Sequence, residues 1–247
     1  MTPPNDTSDR QWPAPRHSHA LRMEWNDLLF AHWPVSAETL APHLPEGLEV
    51  DTFEGQAWIG LVPFQMADVA PRFVPAIPGV SAFPEMNVRT YVTCRGKPGV
   101  WFFSLDATNP LAVRVARALF HLPYMDAQQS IRWDGDRYHY ASHRTHRNEP
   151  PASFVGTYRP VGDIFHAQPD TLEYWLTARY CLYVANGKGR ILRGEIDHPP
   201  WPLQPAEWTV ETNTMLEPLG IPCDGEPHLL FSKRVRVKAW TNQRVDR

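Results

Sequence analysis

The stretch Glu85–Tyr91, EMNVRTY, alternates strictly between two sides of an extended chain. Glu85, Asn87, Arg89 and Tyr91 share one side, and the residues between them share the other. A period of two residues is the signature of a half-buried β-strand, because successive side chains of a strand point to opposite faces. The segment is therefore predicted to be a strand that has one polar face.

Most of the chain favours short strands over long helices. Its 247 residues include 26 Pro, ten Trp, eleven Phe and eight Tyr, a composition typical of many strands joined by tight connections. The pattern predicts an α+β protein that is mainly antiparallel β, a β-barrel or bent sheet with a few packed helices. The length suits one domain, predicted over residues 19–247, and the polar residues 1–18 are predicted to be a disordered tail.

The polar strand is followed by the turn-forming residues 96–99, GKPG, and then by a second strand, VWFFSLDA. A four-residue turn would place Tyr91 opposite Ser104 and Arg89 opposite Asp106. Opposite charges directly across an antiparallel pair stabilise it by about 0.2–1 kcal/mol, which favours this register over a one-residue slip that would exchange the faces. The favoured register gathers Glu85, Arg89, Tyr91, Ser104 and Asp106 on one surface.

This predicted polar surface has two interpretations. A solvated strand face usually carries Lys, Glu and Thr with few large aromatic residues, whereas here Phe102 and Tyr91 accompany an arginine and two carboxylates. Charges on the wall of a cavity would need partners, because burying an isolated charge is costly. The residues alone leave open both a lined cavity and a partly exposed face with structural ion pairs.

Charge and composition narrow the function classes. The net charge of −3 and the pI near 6.4 give no sign of binding to nucleic acid or to an anionic membrane. No apolar run approaches the roughly 18 residues that span a bilayer, and the N-terminus lacks the apolar segment of a secretory signal. Three dispersed cysteines are expected to be reduced thiols, so we expect a cytoplasmic protein.

No motif for nucleotide binding or for a catalytic triad is present in the sequence. His139, His143 and His146 lie close together, but in a strand His146 would oppose the other two, and neighbouring arginines disfavour a cation. We therefore expect neither a metal nor another cofactor.

The order of several segments resembles a bacterial family of unknown function called YqjF-like, a branch of the acetoacetate decarboxylase-like superfamily. The segments that carry the resemblance are PVSAETLAPHLPEGLEVDTFEGQAWIGLVPFQM, FPEMNVRTYV, GKPGVWFFSLDA, ARALFHLPY, RYCLY and HPPWPLQPA. They cover most of residues 22–240. The resemblance implies an acetoacetate decarboxylase-like β-barrel, supports the cavity interpretation, and makes a homo-oligomer an expectation.

The chain departs from the decarboxylase at the residues that do its chemistry. The decarboxylase has two lysines after the helix-ending proline: one forms a Schiff base and the other lowers its pKa. The matching positions here are Tyr124 and Met125, and Asn26 stands near the place of an active-site arginine. Glu85 matches the decarboxylase's active-site glutamate and Arg117 matches the arginine of its helix. The resemblance therefore implies a retained cavity without Schiff-base chemistry.

These observations predict a protein that binds a small organic acid or carbonyl ligand. Glu85 and Tyr124 are the candidate catalytic residues, for acid–base chemistry. The candidate ligand-binding residues are Arg89, Tyr91, Ser104, Asp106 and Arg117. For several of these a structural role stays open: Glu85 as partner of Arg89, Arg89 as partner of Asp106, and Arg117 as a helix-to-sheet ion-pair partner.

Two rival functions remain. One is a non-catalytic role in assembly or protein interaction, with large apolar side chains filling the barrel. The other is an enzyme of a different kind, with its site in the proline-rich loop of residues 70–84.

Overall fold

The computed structural model describes residues 9–77 and 79–245, except the side chains of residues 112, 115 and 119. The helices are α1 (Ala37–Leu40), α2 (Pro110–Phe120) and α3 (Leu172–Thr177), with single 3-10 turns at Ala41–His43 and Glu217–Leu219. The strands of the first half are β1 (Leu21–Val35), β2 (Glu49–Val50), β3 (Ala57–Pro71), β4 (Phe83–Cys94) and β5 (Lys97–Ala107). Those of the second half are β6 (Tyr124–Trp133), β7 (Tyr138–Arg144), β8 (Ser153–Pro160), β9 (Cys181–Ala185), β10 (Ile191–Asp197), β11 (Leu203–Asn213), β12 (His228–Ala239) and β13 (Gln243–Arg244).

The strand pairings close into two rings that share a wall. The shared wall consists of β12, β1, β3, β4 and β5, each antiparallel to the next. One ring is completed by β6, β7, β8 and β11, and the other by β9 and β10. The expected α+β architecture, mainly antiparallel β with a few helices, is confirmed.

Both faces of β4 are buried, because a hydrophobic core lies on each side of the shared wall at this strand. Along the strands of the wall, every second side chain points into one core, which we call the Tyr140 core. It contains Ile59, Leu61, Met86, Val88, Tyr140, Phe154 and Phe231. The other residues contribute to the Trp201 core, which contains Phe30, Val62, Phe64, Leu105, Tyr124, Trp201, Leu203 and Leu230. The polar side of β4 faces the Trp201 core, where Glu85 is 2% exposed and Arg89 is 9% exposed. The alternative of a partly exposed polar face is therefore wrong.

The β4–β5 hairpin differs from the predicted register. Its turn contains only Arg95 and Gly96, both with positive φ (54° and 72°), so Cys94 pairs with Lys97. Arg89 then lies opposite Phe102 and Val88 lies opposite Ser104, with a bulge between these pairs. Two-residue turns with positive φ match the right-handed twist of paired strands better than a wider turn does. Ser104 and Asp106 consequently lie on the face opposite Glu85, and the predicted Arg89–Asp106 pair does not form.

The N-terminal segment from residue 9 onward is bound to the sheet, whereas a disordered tail was expected through residue 18. The Arg10 side chain is 3% exposed, forms an ion pair with Glu195 and lies 3.8 Å from Asp197. Trp12 donates from Nε1 to Glu195 Oε2 over 2.8 Å. This correction concerns residues 9–18, since residues 1–8 lie outside the described residues. No helix in the described part of the chain is long and apolar enough to cross a membrane.

Candidate functional site

Glu85 and Tyr124 meet in the Trp201 core. Tyr124 opens β6, which pairs in parallel with β5 and places Tyr124 beside Leu105, while Glu85 pairs with Ala107 of the same strand. The Tyr124 hydroxyl donates a hydrogen bond of 2.8 Å to Glu85 Oε2. The contact joins residues 39 positions apart in the sequence, and both side chains are buried.

The apolar surroundings keep this pair uncharged. Burial raises the pKa of Glu85 to about 8; the hydrogen bond from Tyr124 lowers it, and the nearby Asp106 raises it further. Burial, and then the charge of Glu85, hold the pKa of Tyr124 well above its usual value. At neutral pH Glu85 is therefore mainly a neutral carboxylic acid that accepts a hydrogen bond from a neutral phenol.

Two further residues position this pair through its backbone. Tyr140, from the core on the opposite face of the wall, donates to the Glu85 backbone carbonyl oxygen over 2.9 Å. Arg117 of α2 donates from Nη1 to the Tyr124 carbonyl oxygen over 2.6 Å. Arg117 is exposed and has no ion pair with a described residue, so its predicted helix-to-sheet ion pair is absent. Sequence reasoning missed Tyr140, because an alternating Tyr in a strand resembles any other core residue.

A second polar group follows Glu85 along β4. Arg89 donates from Nη2 to the Tyr91 hydroxyl over 3.2 Å, and His32 Nε2 lies 2.7 Å from the same hydroxyl. The guanidinium carbon of Arg89 lies 5.2 Å from the ring centre of Phe30, within cation–π range. Burial and the charge of Arg89 hold the pKa of His32 well below its usual value, so this histidine is neutral. Gly60 leaves room for the imidazole, since a Cβ there would lie 2.6 Å from His32 Nε2.

Several buried polar atoms on this side of the shared wall have no hydrogen-bond partner among the described residues. They are Trp25 Nε1, His32 Nδ1, Asn87 Oδ1, Arg89 Nε and Ser232 Oγ. Buried polar groups are nearly always satisfied in folded proteins, so a group of unsatisfied atoms in one layer calls for an explanation. Neither His32 nor Ser232 could be linked to β4 from the sequence, because both come from other strands of the shared wall.

Ser104 and Asp106 belong to a separate, self-contained cluster on the opposite face. Arg144 of β7 binds Asp106 through two hydrogen bonds of 2.9 and 2.8 Å and donates to Ser104 Oγ over 2.9 Å. Gln129 donates to the Asp106 carbonyl oxygen and to Ser142. Because the Asp106 carboxylate is paired with Arg144, these residues act as a structural link between β5, β6 and β7, separate from Glu85.

No lysine among the described residues lies beside Glu85 and Tyr124. Lys97 lies 3.6 Å from Glu195, Lys233 forms an ion pair with Asp27, and Lys188 is in the β9–β10 turn. Lys238 lines a surface groove. The described residues also contain no group of three His, Cys, Asp or Glu side chains arranged to hold a metal ion.

An open surface groove of about 700 Å³ lies beside the proline-rich loop. It is lined by His19, Arg22, Met23, Glu24, Asp68, Arg72, Phe73, Arg236, Val237 and Lys238. In the loop Phe73 is 86% exposed, and Asn109, just before α2, donates to the Val80 carbonyl oxygen over 2.8 Å. Residue 78 lies outside the described residues. This groove does not include Glu85 or Tyr124.

Comparison with solved structures defines the class of fold. The chain is similar to an acetoacetate decarboxylase from Legionella pneumophila (TM-score 0.59, 13% identity, 97% of this chain and 94% of that chain). It is similar to an acetoacetate decarboxylase-like enzyme from Sphingomonas wittichii RW1 (TM-score 0.61, 12% identity, 95% and 98%). It is also similar to the enduracididine biosynthesis enzyme MppR complexed with pyruvate (TM-score 0.63, 11% identity, 94% and 93%). The protein therefore has an acetoacetate decarboxylase-like fold.

Sequence comparison gives the family within that class. The model of DUF2071, a family described as an uncharacterized conserved protein, matches residues 22–236. The chain is 45% identical over 221 residues to the uncharacterized protein YqjF of Bacillus subtilis (strain 168), covering 89% of this chain and 90% of that protein. The chain belongs to the DUF2071 family, and the resemblance predicted from the sequence is confirmed.

Proposed function

We propose that the protein binds a small organic acid or carbonyl compound in the Trp201 core and acts on it by proton donation from Glu85. The observation that carries the proposal is the contact between Tyr124 and Glu85 in an apolar interior. A carboxyl group with a pKa of about 8 is protonated at neutral pH and can serve as a general acid.

The hydrogen bonding of the pair defines what a ligand would meet. Since Tyr124 donates to Oε2, the proton of the neutral Glu85 carboxyl is available on Oε1. A ligand oxygen beside Oε1 would accept that proton or a strong hydrogen bond. Tyr124 would then stabilise the carboxylate that remains after proton transfer. Arg117 and Tyr140 act as positioning residues, because they bind the backbone of the pair and not the ligand.

Two further observations support a ligand-binding role without an imine. The related fold of MppR holds pyruvate, a small organic acid with a carbonyl group. The sequence resemblance implies that Tyr124 and Met125 take the position of the decarboxylase lysine pair, and the four lysines of this chain at 97, 188, 233 and 238 lie elsewhere. A phenol cannot form a Schiff base, which favours acid–base chemistry over covalent catalysis.

The test is a binding screen of small oxo acids, hydroxy acids and simple ketones by isothermal titration calorimetry. We expect a ligand that binds the wild-type protein and loses at least tenfold in affinity in both Glu85→Gln and Tyr124→Phe. Glu46→Gln, an exposed glutamate, is the matched control and should bind as wild type does. Borohydride added with the ligand should give no covalent adduct; a reduced adduct on a lysine would contradict the proposal.

The surface groove supports a second candidate function. Four cationic side chains, at Arg22, Arg72, Arg236 and Lys238, line it against two carboxylates, Glu24 and Asp68, and the exposed Phe73 lies among them. Arg236 binds Glu24 over 3.1 Å, and the remaining cations outnumber the remaining carboxylate. This arrangement favours an anionic ligand bound at the loop, in place of the interior. The same screen separates the two sites with the double variant Arg72→Ala/Phe73→Ala. A ligand that binds in the interior should bind this variant as it binds the wild type. A ligand that loses affinity in this variant alone would bind in the groove. If no ligand binds at either site, the non-catalytic role is favoured.

A further inference from the structure

We infer that Arg89 anchors a second subsite in the Trp201 core, one that binds the carboxylate group of a ligand. The inference rests on the proposed function, since it assigns the other end of the same interior site. Arg89 lies four residues from Glu85 on β4, so their Cα atoms are about 13 Å apart with Asn87 between them.

Arg89 differs from the other buried arginines in having no counter-ion. Arg10, Arg144 and Arg179 have side chains 3–5% exposed, and each forms an ion pair with a carboxylate: Glu195, Asp106 and Asp51 respectively. No carboxylate of the described residues lies within 4.0 Å of an Arg89 nitrogen. A buried cation without a partner is costly, so a bound anion would stabilise Arg89 by pairing with it.

The atoms around Arg89 indicate a ligand rich in hydrogen-bond acceptors. Arg89 Nε is an unused donor, and Nη2 has only the Tyr91 hydroxyl as partner. An Arg edge that presents Nε–H beside Nη–H matches the two oxygens of a carboxylate. His32, whose Nε2 lies 2.7 Å from the same Tyr91 hydroxyl, has an unpartnered Nδ1 on this side of the wall.

The local charges favour a carboxylate over a phosphate. Glu85 is mainly neutral, His32 is neutral, and Asp51 is already paired with Arg179, whose guanidinium carbon lies 4.8 Å from the centre of the Tyr91 ring. One positive charge therefore remains without compensation, and one negative charge neutralises it. A dianion would leave excess negative charge in an apolar layer, which is costly for the same reason as the unpaired cation.

The test compares carboxylates with their uncharged amides. Acetate, propionate and benzoate are titrated against acetamide, propionamide and benzamide at pH 7 by calorimetry. We expect the wild-type protein to prefer the carboxylates by at least tenfold. Arg89→Met should abolish that preference. Arg89→Lys should reduce it, because lysine lacks the two parallel N–H groups that bind both oxygens of a carboxylate. Arg132→Met, at an exposed arginine, is the control and should retain the preference. Equal binding of acids and amides by the wild type, or a preference that survives in Arg89→Met, would overturn the inference.

Glu85→Gln separates this inference from the proposed function. If the carboxylate preference persists in Glu85→Gln and disappears in Arg89→Met, the Arg89 subsite exists whatever Glu85 does. If Glu85→Gln weakens simple ketones while acids and amides bind alike, the proposed function stands and the Arg89 subsite does not. The wild-type comparison of acids with amides decides the matter even if Arg89→Met fails to fold.

Discussion

At the scale of single residues, three buried charged or ionisable side chains near the shared wall reach three different states. Asp106 is held by two hydrogen bonds from Arg144. Glu85 has a phenol and no cation as its partner, and burial keeps it protonated. Arg89 has the Tyr91 hydroxyl as its partner and, within the described part of the chain, no anion. Whether each side chain has a structural role or is available to a ligand depends on the group that it pairs with. The residue type alone does not specify that group.

Glu85 should make the protein less stable as the pH rises from about 5 to 8. The pKa is raised from 4.5 to about 8 in the folded protein, so between these values the folded state holds a proton that the unfolded state releases. The free energy of unfolding then falls by about 1.4 kcal/mol per pH unit across this window, and the stabilisation is complete only below the lower value. Urea unfolding of wild type and Glu85→Gln at pH 5, 6, 7 and 8 measures this slope.

The difference between the two proteins isolates Glu85, because Gln does not titrate. Buried histidines with lowered pKa values, His32, His198 and His228, give a slope of the opposite sign in both proteins and cancel in the difference. Parallel stability curves for wild type and Glu85→Gln would show that the folded pKa of Glu85 is ordinary.

Removing the charge of Arg144 should destabilise the protein much more than removing the charge of Arg89. Arg144→Met leaves the Asp106 carboxylate buried without its cation, so we expect a loss of about 3–5 kcal/mol in the free energy of unfolding. Arg89→Met removes a buried cation that has no counter-ion, and we expect a loss below about 1 kcal/mol or a gain in the ligand-free protein. Urea unfolding at pH 7 compares them; similar large losses would mean that Arg89 has an anionic partner.

At the scale of secondary-structure elements, the hairpin between β4 and β5 determines which side chains share a face. A charge pair across the strands favoured a four-residue turn in the sequence, but the turn uses Arg95 and Gly96 alone. The resulting shift moves Ser104 and Asp106 out of the site and brings Phe102 level with Arg89. A cross-strand ion pair contributes less than about 1 kcal/mol, too little to outweigh the twist and packing of a wall buried on both faces.

Arg95→Asn should stabilise this hairpin. Arg95 adopts φ of 54°, a left-handed conformation that costs most residues about 1–2 kcal/mol and that Asn tolerates well. We expect a gain of about 0.5–1 kcal/mol in the free energy of unfolding, measured by urea denaturation. Arg95→Ala serves as the control, since it removes the same side chain without easing the strain. Equal effects of the two substitutions would assign any change to the loss of the arginine.

At the scale of the whole molecule, the two rings explain why a strand with a polar face has no exposed side. Each ring supplies a core to one face of the shared wall, and β4 lies within that wall. The N-terminal segment from residue 9 extends this arrangement, because Arg10 reaches Glu195 and Asp197 on β10 and its guanidinium lies over Tyr180. The N-terminal segment is polar in composition, yet buried ion pairs hold it to β10, a strand of the ring that β9 and β10 complete.

Arg10→Ala should weaken the attachment of the N-terminal segment. The substitution leaves Asp197 without its ion-pair partner, while Glu195 keeps Arg193 at 2.9 Å. We expect a loss of about 1–3 kcal/mol in the free energy of unfolding, together with faster proteolytic cleavage before residue 20. Arg16→Ala, at an exposed position of the same segment, should change neither. Unchanged proteolysis in Arg10→Ala would mean that the ion pairs do not hold the segment.

The sequence by itself determined that residues 85–91 form a strand with two unlike faces and that the chain belongs to a family with an acetoacetate decarboxylase-like fold. That Tyr124 and Met125 stand where the lysine pair would be is what the sequence resemblance implies. Only the tertiary structure decided what lies against each face. It brought Tyr124 to Glu85, paired Asp106 with Arg144, and left Arg89 without a carboxylate from residues 9–77 or 79–245. The physical reason is that alternation is a local property of the backbone, whereas the partners of a strand come from residues tens of positions away and depend on register, strand order and burial on both faces.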